Sequence, residues 1–268
     1  MKNTTALEVP VPFRTAAVGQ AAPRRPRLPL WLKLAYTAFM AVLVPVYWAN
    51  YGPTNFLYFC DLALFTTLAA VWTESALLAG MAAVGIVLPQ MLWCADFAGH
   101  FAGMKLTGMT DYMFDSRRSL FLRGLSLFHG WLPFLLLGLV ARLGYDRRAL
   151  RAWTATAWIA MLVSFFFMPQ PGAVLAHPQT PVNINYVFGM SDAAPQSWMP
   201  PLAWLGMLMV GMPVLLFWPT HRILKRFFKP PFAENSRDSV RRLREDCAPS
   251  LPPCSRASGQ PSSPPTFP

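Results

Sequence analysis

The sequence predicts an all-α membrane protein, a bundle of six transmembrane helices with both termini in the cytoplasm. Of its 268 residues, 54% are hydrophobic and only 13% are charged, whereas soluble proteins carry about 25% charged residues. Its apolar runs have the length that a helix needs to cross a bilayer. Its basic residues are concentrated in the two tails and in one short loop, which is typical of cytoplasmic segments.

Six apolar runs are long enough to be spans. They cover residues 30–49, 54–72, 75–97, 119–141, 149–168 and 200–219. None of them shows the alternating pattern of a strand, and a backbone inside a membrane must satisfy its own hydrogen bonds. Each run is therefore predicted to be a helix, within a membrane domain of residues 29–220.

The segments outside this domain differ from it in composition. Residues 1–28 form a basic tail, and residues 221–232 (HRILKRFFKPPF) form a basic juxtamembrane segment suited to anionic lipid. Residues 233–268 are rich in Pro and Ser and lack the apolar content that a core needs, so this tail is predicted to be disordered.

The loops predict the direction of the helices. The basic segments lie before the first span, between the fourth and fifth spans (RLGYDRRALR) and after the sixth, whereas residues 169–198 contain no Lys or Arg. The positive-inside rule then places both termini in the cytoplasm and the 169–198 loop outside. The expected location is the inner (plasma) membrane of a bacterium.

The charge and the cysteines exclude several classes of function. The net charge of +11 resides mostly in tails and loops, and no basic face is interleaved with exposed aromatics as a nucleic-acid groove requires. The four cysteines form no CxxC pair, so neither a disulfide framework, a metal nor a cofactor is expected. Membrane lipids are the expected partners, and the oligomeric state stays open.

A few polar residues interrupt the apolar runs, where an ionisable group costs at least ~2.5 kcal/mol. In the second span (NFLYFCDLALF), Cys60 and Asp61 share one helical stripe. In the fourth span (SLFHGWLP), His129 follows Ser126, and Pro133 frees the carbonyl of His129 as an acceptor.

The expected depths of these residues agree with one another. Asp96 closes the third span, and Asn183, Asn185 and Tyr186 belong to the loop before the last span (NINYVFG). With the topology above, they and the polar residues of spans two and four all lie in or above the outer half of the bilayer. This convergence predicts a polar site there.

Each residue of this predicted site also has a purely structural interpretation. Cys60 can be a small buried hydrophobe, and His129 can bind a neighbouring helix. Asp61 can be neutral or paired with Arg123. The two loop asparagines, Asn183 and Asn185, can simply cap turns.

The order Cys-Asp in span two, His in span four and Asn-x-Asn-Tyr before the last span resembles a known family. It is similar to the bacterial YwaF-type integral membrane proteins and their eukaryotic relatives, the transmembrane protein 164 acyltransferases, over residues 50–220. The resemblance implies a six-helix bundle, with Cys60 as the nucleophile of acyl transfer between phospholipids and His129 as general base. It also implies that Asn185 and Tyr186 lie near the reacting group. The family pattern has a His two positions before the Cys, where this chain has Tyr58.

The chemistry implied by the resemblance makes further demands. A thiolate attacks an ester carbonyl only with a base in reach, and the oxyanion needs donors, for which Asn55, Tyr58 and Asn185 are candidates. Asp61 is expected to orient His129 or to hold it protonated.

The predicted function is therefore a cysteine-dependent lipid acyltransferase or acyl hydrolase. Two alternatives stay open. One is a protein that binds or transports a small molecule or protons without catalysis, and the other is a helix-bundle scaffold.

Overall fold

The computed structural model of this protein describes residues 28–175 and 179–231. The described residues contain helices and no strand. The eight α-helices are α1 Leu30–Tyr51, α2 Phe59–Thr73, α3 Ala76–Phe101, α4 Leu120–Ser126, α5 Phe128–Leu143, α6 Ala149–Phe167, α7 Pro201–Met212 and α8 Trp218–Phe227. The all-α class is confirmed. The predictions for the basic tail up to residue 27 and for the 233–268 tail lie outside the described residues.

Short 3₁₀ and π-helical turns lie between several of these helices. Three 3₁₀ turns span Pro53–Leu57, Asp111–Met113 and Ile184–Tyr186, and a π-helical turn at Pro213–Phe217 joins α7 to α8. The last helical run continues to Phe227, so the beginning of the segment predicted as a separate juxtamembrane piece is continuous with the last span.

Within the described residues, five helical runs are long and apolar enough to cross a membrane. They are Leu30–Tyr51, Ala76–Phe101, Leu120–Leu143, Ala149–Phe167 and Pro201–Phe227. The predicted second span differs, because its first residues form the 3₁₀ turn and α2 itself has only 15 residues. At ~1.5 Å per residue α2 is about 22 Å long, short of the ~30 Å hydrocarbon core. The chain is thus a membrane-type helical bundle, and the sixth crossing stays a prediction.

Contacts between loops gather the basic segments at one end of the bundle. The Lys33 ammonium pairs with Glu74 at 2.7 Å, which joins the start of α1 to the α2–α3 turn. The Tyr145 hydroxyl and His221 Nδ1 are 2.6 Å apart, which joins the α5–α6 loop to α8. We call this region, with Arg147, Arg148, Arg151, Arg222 and Lys225, the basic end. Such grouping is what the positive-inside rule requires of a cytoplasmic face.

Helix α3 is the centre of the bundle and packs against α2, α5 and α6. Small residues on α3, among them Gly80 and Gly85, let the neighbouring helices approach closely. A Cβ added at Gly80 would lie 3.0 Å from Ala149, and one added at Gly85 would overlap the indole of Trp153. Trp153 is fully buried, so the absence of a side chain at Gly85 is what makes room for the largest core residue of α6.

Replacing Gly85 with Ala should therefore destabilise the bundle by about 1–3 kcal/mol, because the rigid indole cannot move away from the added methyl group. The measurement is thermal unfolding of the purified protein in detergent. Gly138→Ala is the matched control, since Gly138 is also helical and no neighbouring atom lies within 4 Å of its added Cβ. Alanine should leave that position unchanged or slightly stabilise it. Equal melting temperatures for the two variants would contradict this packing.

Candidate functional site

The first turn of α2 carries Cys60 and Asp61, and a distant loop residue holds this turn in place. Asn185 Nδ2 donates to the carbonyl of Leu57 at 2.9 Å. The amide of Phe59 donates to Asn185 Oδ1 at 3.2 Å. The Asn185 side chain thus pairs with the Leu57 carbonyl at the end of the 3₁₀ turn and with the Phe59 amide at the start of α2. The structure brings together Cys60 and the Asn-rich loop, as the sequence predicts.

The loop that reaches α2 has an unusual backbone. Asn183, Asn185 and Tyr186 have φ angles of 51°, 58° and 59°, in the left-handed region that Asn tolerates but a bulky residue rarely adopts. Tertiary hydrogen bonds enforce this conformation. Asn183 Nδ2 donates to the carbonyls of Gly189 and Ser191, and Trp204 Nε1 donates to the carbonyl of Tyr186 at 2.9 Å.

Asp61 is buried, with 3% of its surface exposed. Its Oδ2 accepts from Asn55 Nδ2 at 2.9 Å, and its Oδ1 has no partner among the described residues. The predicted alternative of an Asp61–Arg123 pair is wrong, because Arg123 donates to the carbonyl of Met113 instead and forms no ion pair in the described part of the chain. The buried Asp61 carboxyl group is therefore paired with the neutral amide of Asn55, which belongs to the 3₁₀ turn Pro53–Leu57.

His129 lies in the first turn of α5, and its tautomer follows from its partner. Nδ1 is 2.8 Å from the carbonyl oxygen of Ser126, and a carbonyl can only accept, so Nδ1 carries the proton. In the neutral ring this leaves Nε2 with a free lone pair, the form that a general base requires. The role of orienting the imidazole, expected of Asp61, belongs to the Ser126 carbonyl.

The carbonyl that Pro133 frees also has a partner. Cys94 Sγ lies 3.8 Å from the carbonyl oxygen of His129, as a weak thiol donor. The prediction that Pro133 releases this acceptor agrees with the geometry. A second thiol is thus closely associated with the backbone of the His129 turn.

Aromatic residues pack around the turn of His129. Trp93 stacks on the imidazole at 5.4 Å between ring centroids, and its Nε1 donates to the Tyr112 hydroxyl at 3.3 Å. The Tyr47 hydroxyl and Ser126 Oγ are 2.9 Å apart. We call Tyr47, Trp93, Tyr112, Ser126 and His129 the Tyr112 cluster.

Tyr112 joins this cluster from the connection between α3 and α4. Its hydroxyl accepts from Trp93 Nε1, and burial raises the pKa of the phenol. No hydrogen bond joins Cys60 directly to His129 among the described residues. Sequence reasoning missed Tyr112, because it lies in the short connection between spans three and four, where a tyrosine is usually an interface anchor.

Two tyrosines are next in sequence to residues that form the Cys60 turn. Tyr58 immediately precedes α2, and Tyr186 follows Asn185, which binds that turn. Partial burial raises the pKa of Tyr186, and the nearby Asp192 acts in the same direction. The Tyr186 hydroxyl therefore stays protonated at neutral pH and can donate a hydrogen bond.

Asp96, expected to contact substrate, is instead the anchor of the loop after α3. Its oxygens accept from the amides of Thr107, Gly108 and Thr110 and from the Thr110 hydroxyl, at 2.6–3.2 Å. Four donors match the acceptor capacity of a carboxylate. Asn183 likewise forms hydrogen bonds with Phe188 and Gly189 of its own loop. The residues that converge around the thiol are Asn55, Tyr58, Cys60, Asp61, Asn185 and Tyr186, with His129 in the adjoining cluster.

Comparisons of this chain with protein-family models, curated proteins and solved structures found no match. The resemblance to the YwaF-type proteins thus stays a prediction that rests on the quoted motifs.

Asn185→Ala should open the start of α2. The change leaves the Leu57 carbonyl and the Phe59 amide without partners and puts alanine in a left-handed conformation, a loss of at least about 2 kcal/mol. Hydrogen exchange of the Phe59 amide should become faster by tenfold or more. Asn50→Ala is the control, because Asn50 donates only to Val46 within its own helix. Unchanged exchange at Phe59 would show that Asn185 does not hold the turn.

Proposed function

We propose that the site at the start of α2 performs thiol-dependent acyl chemistry on membrane lipid, with Cys60 as the nucleophile. The observation that carries this proposal is the loop of left-handed residues that binds both sides of the Cys60 turn. Backbone strain that tertiary contacts maintain is concentrated at functional sites in proteins. Cys60 is the reactive side chain on the turn that this strained loop positions.

The surroundings of Cys60 support an activated thiol. Its location in the first turn of α2 favours negative charge through the helix dipole, whereas burial opposes it, so a base is needed. His129 has the tautomer of a base, with Nε2 unprotonated. Trp93 stacks on the His129 ring and donates to the Tyr112 hydroxyl, which fixes the imidazole in place.

The proposed reaction has two balanced stages. Cys60 Sγ bonds to the carbonyl carbon of a lipid ester while its proton passes to His129 Nε2. The ester C–O bond then breaks, and the leaving alcohol takes that proton. In the second stage the hydroxyl of a lysolipid or of water attacks the thioester, and His129 accepts its proton and returns it to the departing thiolate.

Of the three candidate oxyanion donors named from sequence, the geometry favours Tyr58. Asn55 donates to Asp61, and Asn185 donates to Leu57, so both amides are in use. The Tyr58 hydroxyl makes no hydrogen bond with the described residues, and the Tyr186 hydroxyl is similarly available. These two phenols are the donors that we assign to the developing negative charge.

The test uses a protein with Cys247 and Cys254 changed to Ser, incubated with an alkyne-tagged diacyl phospholipid. A thioester label is released by hydroxylamine, and we expect Cys60→Ser to abolish the hydroxylamine-sensitive label. Cys94→Ser should keep it, which makes it the matched thiol control. His129→Asn preserves an N–H near the Ser126 carbonyl but removes Nε2, so the acylation rate should fall by about 10²-fold or more.

Two results would overturn this assignment. One is a hydroxylamine-sensitive label that persists in Cys60→Ser and disappears in Cys94→Ser, which would make Cys94 the nucleophile. The other is an unlabelled parent protein with a normal melting temperature, which would exclude an acyl-enzyme with that phospholipid class.

Buried polar groups without partners favour a second candidate function, the binding or conduction of a small polar species. Asp61 Oδ1 and both polar atoms of the Gln90 side chain are buried and unpaired among the described residues, and such groups are rare without a ligand or water. Asp61→Asn should then abolish proton flux into reconstituted vesicles under an imposed potential, while Cys60→Ser leaves it intact. Proton flux that is absent from the parent would exclude proton conduction.

A further inference from the structure

The outer surface of the bundle contains an apolar groove that is remote from Cys60. It encloses about 620 Å³ between α6 and the segment that joins α7 to α8. Its walls are Leu150, Arg151, Thr154, Ala155, Trp158, Pro213, Val214 and Trp218. Arg151 and Thr154 are the polar members of this set. Because α6 starts at the basic end, the groove belongs to that end, whereas Cys60 lies where α2 starts, at the opposite end.

The groove is a consequence of proline chemistry. Pro213 has no N–H, so it cannot bond the carbonyl of Met209 four residues earlier. Trp158 Nε1 donates to that carbonyl at 2.7 Å. The backbone widens into the π-helical turn Pro213–Phe217 at the same place, as helices do where the regular ladder is interrupted. The Trp158 indole is thus fixed by a hydrogen bond to the neighbouring helix while the residue lines the groove.

The mouth of the groove is cationic. Arg151 is part of its lining and is exposed. The Arg222 guanidinium lies over the Trp218 ring, 5.3 Å from the centroid. Neither arginine has an acidic partner among the described residues, whereas Asp146 at this end is already paired with Arg148 at 2.7 Å. An apolar groove with one guanidinium group in its lining and a second over the ring of its wall residue Trp218 is complementary to an anionic amphiphile.

We propose that this groove binds an anionic phospholipid, with an acyl chain along α6 and the phosphate between Arg151 and Arg222. The volume lies in the range of ordinary ligand sites, about 300–1,000 Å³. Guanidinium groups bind phosphate through paired N–H donors. The positive charge of the basic end also favours its contact with the anionic lipids of a membrane leaflet. The site is independent of the acyl chemistry proposed for Cys60.

The experiment is native mass spectrometry of the full chain in a neutral detergent, with dioleoylphosphatidylglycerol or dioleoylphosphatidylcholine added. We expect tighter binding of the anionic lipid. Arg151→Gln and Arg222→Gln should each weaken it about fivefold, the equivalent of about 1 kcal/mol per basic residue. Arg142→Gln is the charge-matched control: Arg142 is exposed and ends α5 near the same loop, but it does not line the groove.

A second pair of variants tests the acyl chain. Ala155→Trp fills the groove without changing its charge and should reduce phosphatidylglycerol binding to that of phosphatidylcholine. Ile159→Trp, at an exposed position of α6 outside the lining, should have no effect. Equal binding of the two lipids by the parent would overturn the proposal. So would equal losses in Arg151→Gln and Arg142→Gln, which indicate diffuse attraction, or full binding by Ala155→Trp.

Discussion

Backbone groups that a helix cannot satisfy by itself organise this structure. In apolar surroundings an unpaired N–H or C=O costs several kcal/mol, so each one must acquire a partner from elsewhere in the bundle. Asn185 supplies that partner at the start of α2. The Nδ1–H of His129 supplies it for Ser126 at the break between α4 and α5. Trp158 supplies it for the carbonyl that Pro213 frees.

These satisfying side chains are also the ones that define the two candidate sites. The contact that fixes the Cys60 turn brings the strained loop against the first residues of α2. The contact that satisfies Ser126 selects the imidazole tautomer in which Nε2 is a base. The contact at Met209 keeps an indole in the wall of the apolar groove. The hydrogen bonds that satisfy the backbone are therefore the same ones that position the candidate functional side chains.

The two ends of the bundle differ in how their polar side chains are used. At the basic end, Glu74 and Asp146 pair with Lys33 and Arg148, and Arg151 and Arg222 are exposed. At the other end the connection between α3 and α4 carries charges of both signs, and the buried Asp96 and Asn183 hold loops. A lipid headgroup site suits the first end, and a shielded site for covalent chemistry suits the second.

The sequence by itself determined the helical class, the positions of the long apolar runs, the carbonyl released by Pro133 and the meeting of the Asn-rich loop with Cys60. These follow from local properties, namely run length, proline geometry and the alternating direction of consecutive helices. Only the tertiary structure decided the partner of Asp61, the hydrogen bonds of Asp96 to a loop and the contacts of Trp93 with His129 and Tyr112. Partner choice depends on distances between elements far apart in the chain, and several arrangements of such elements fit the same pattern of apolar residues.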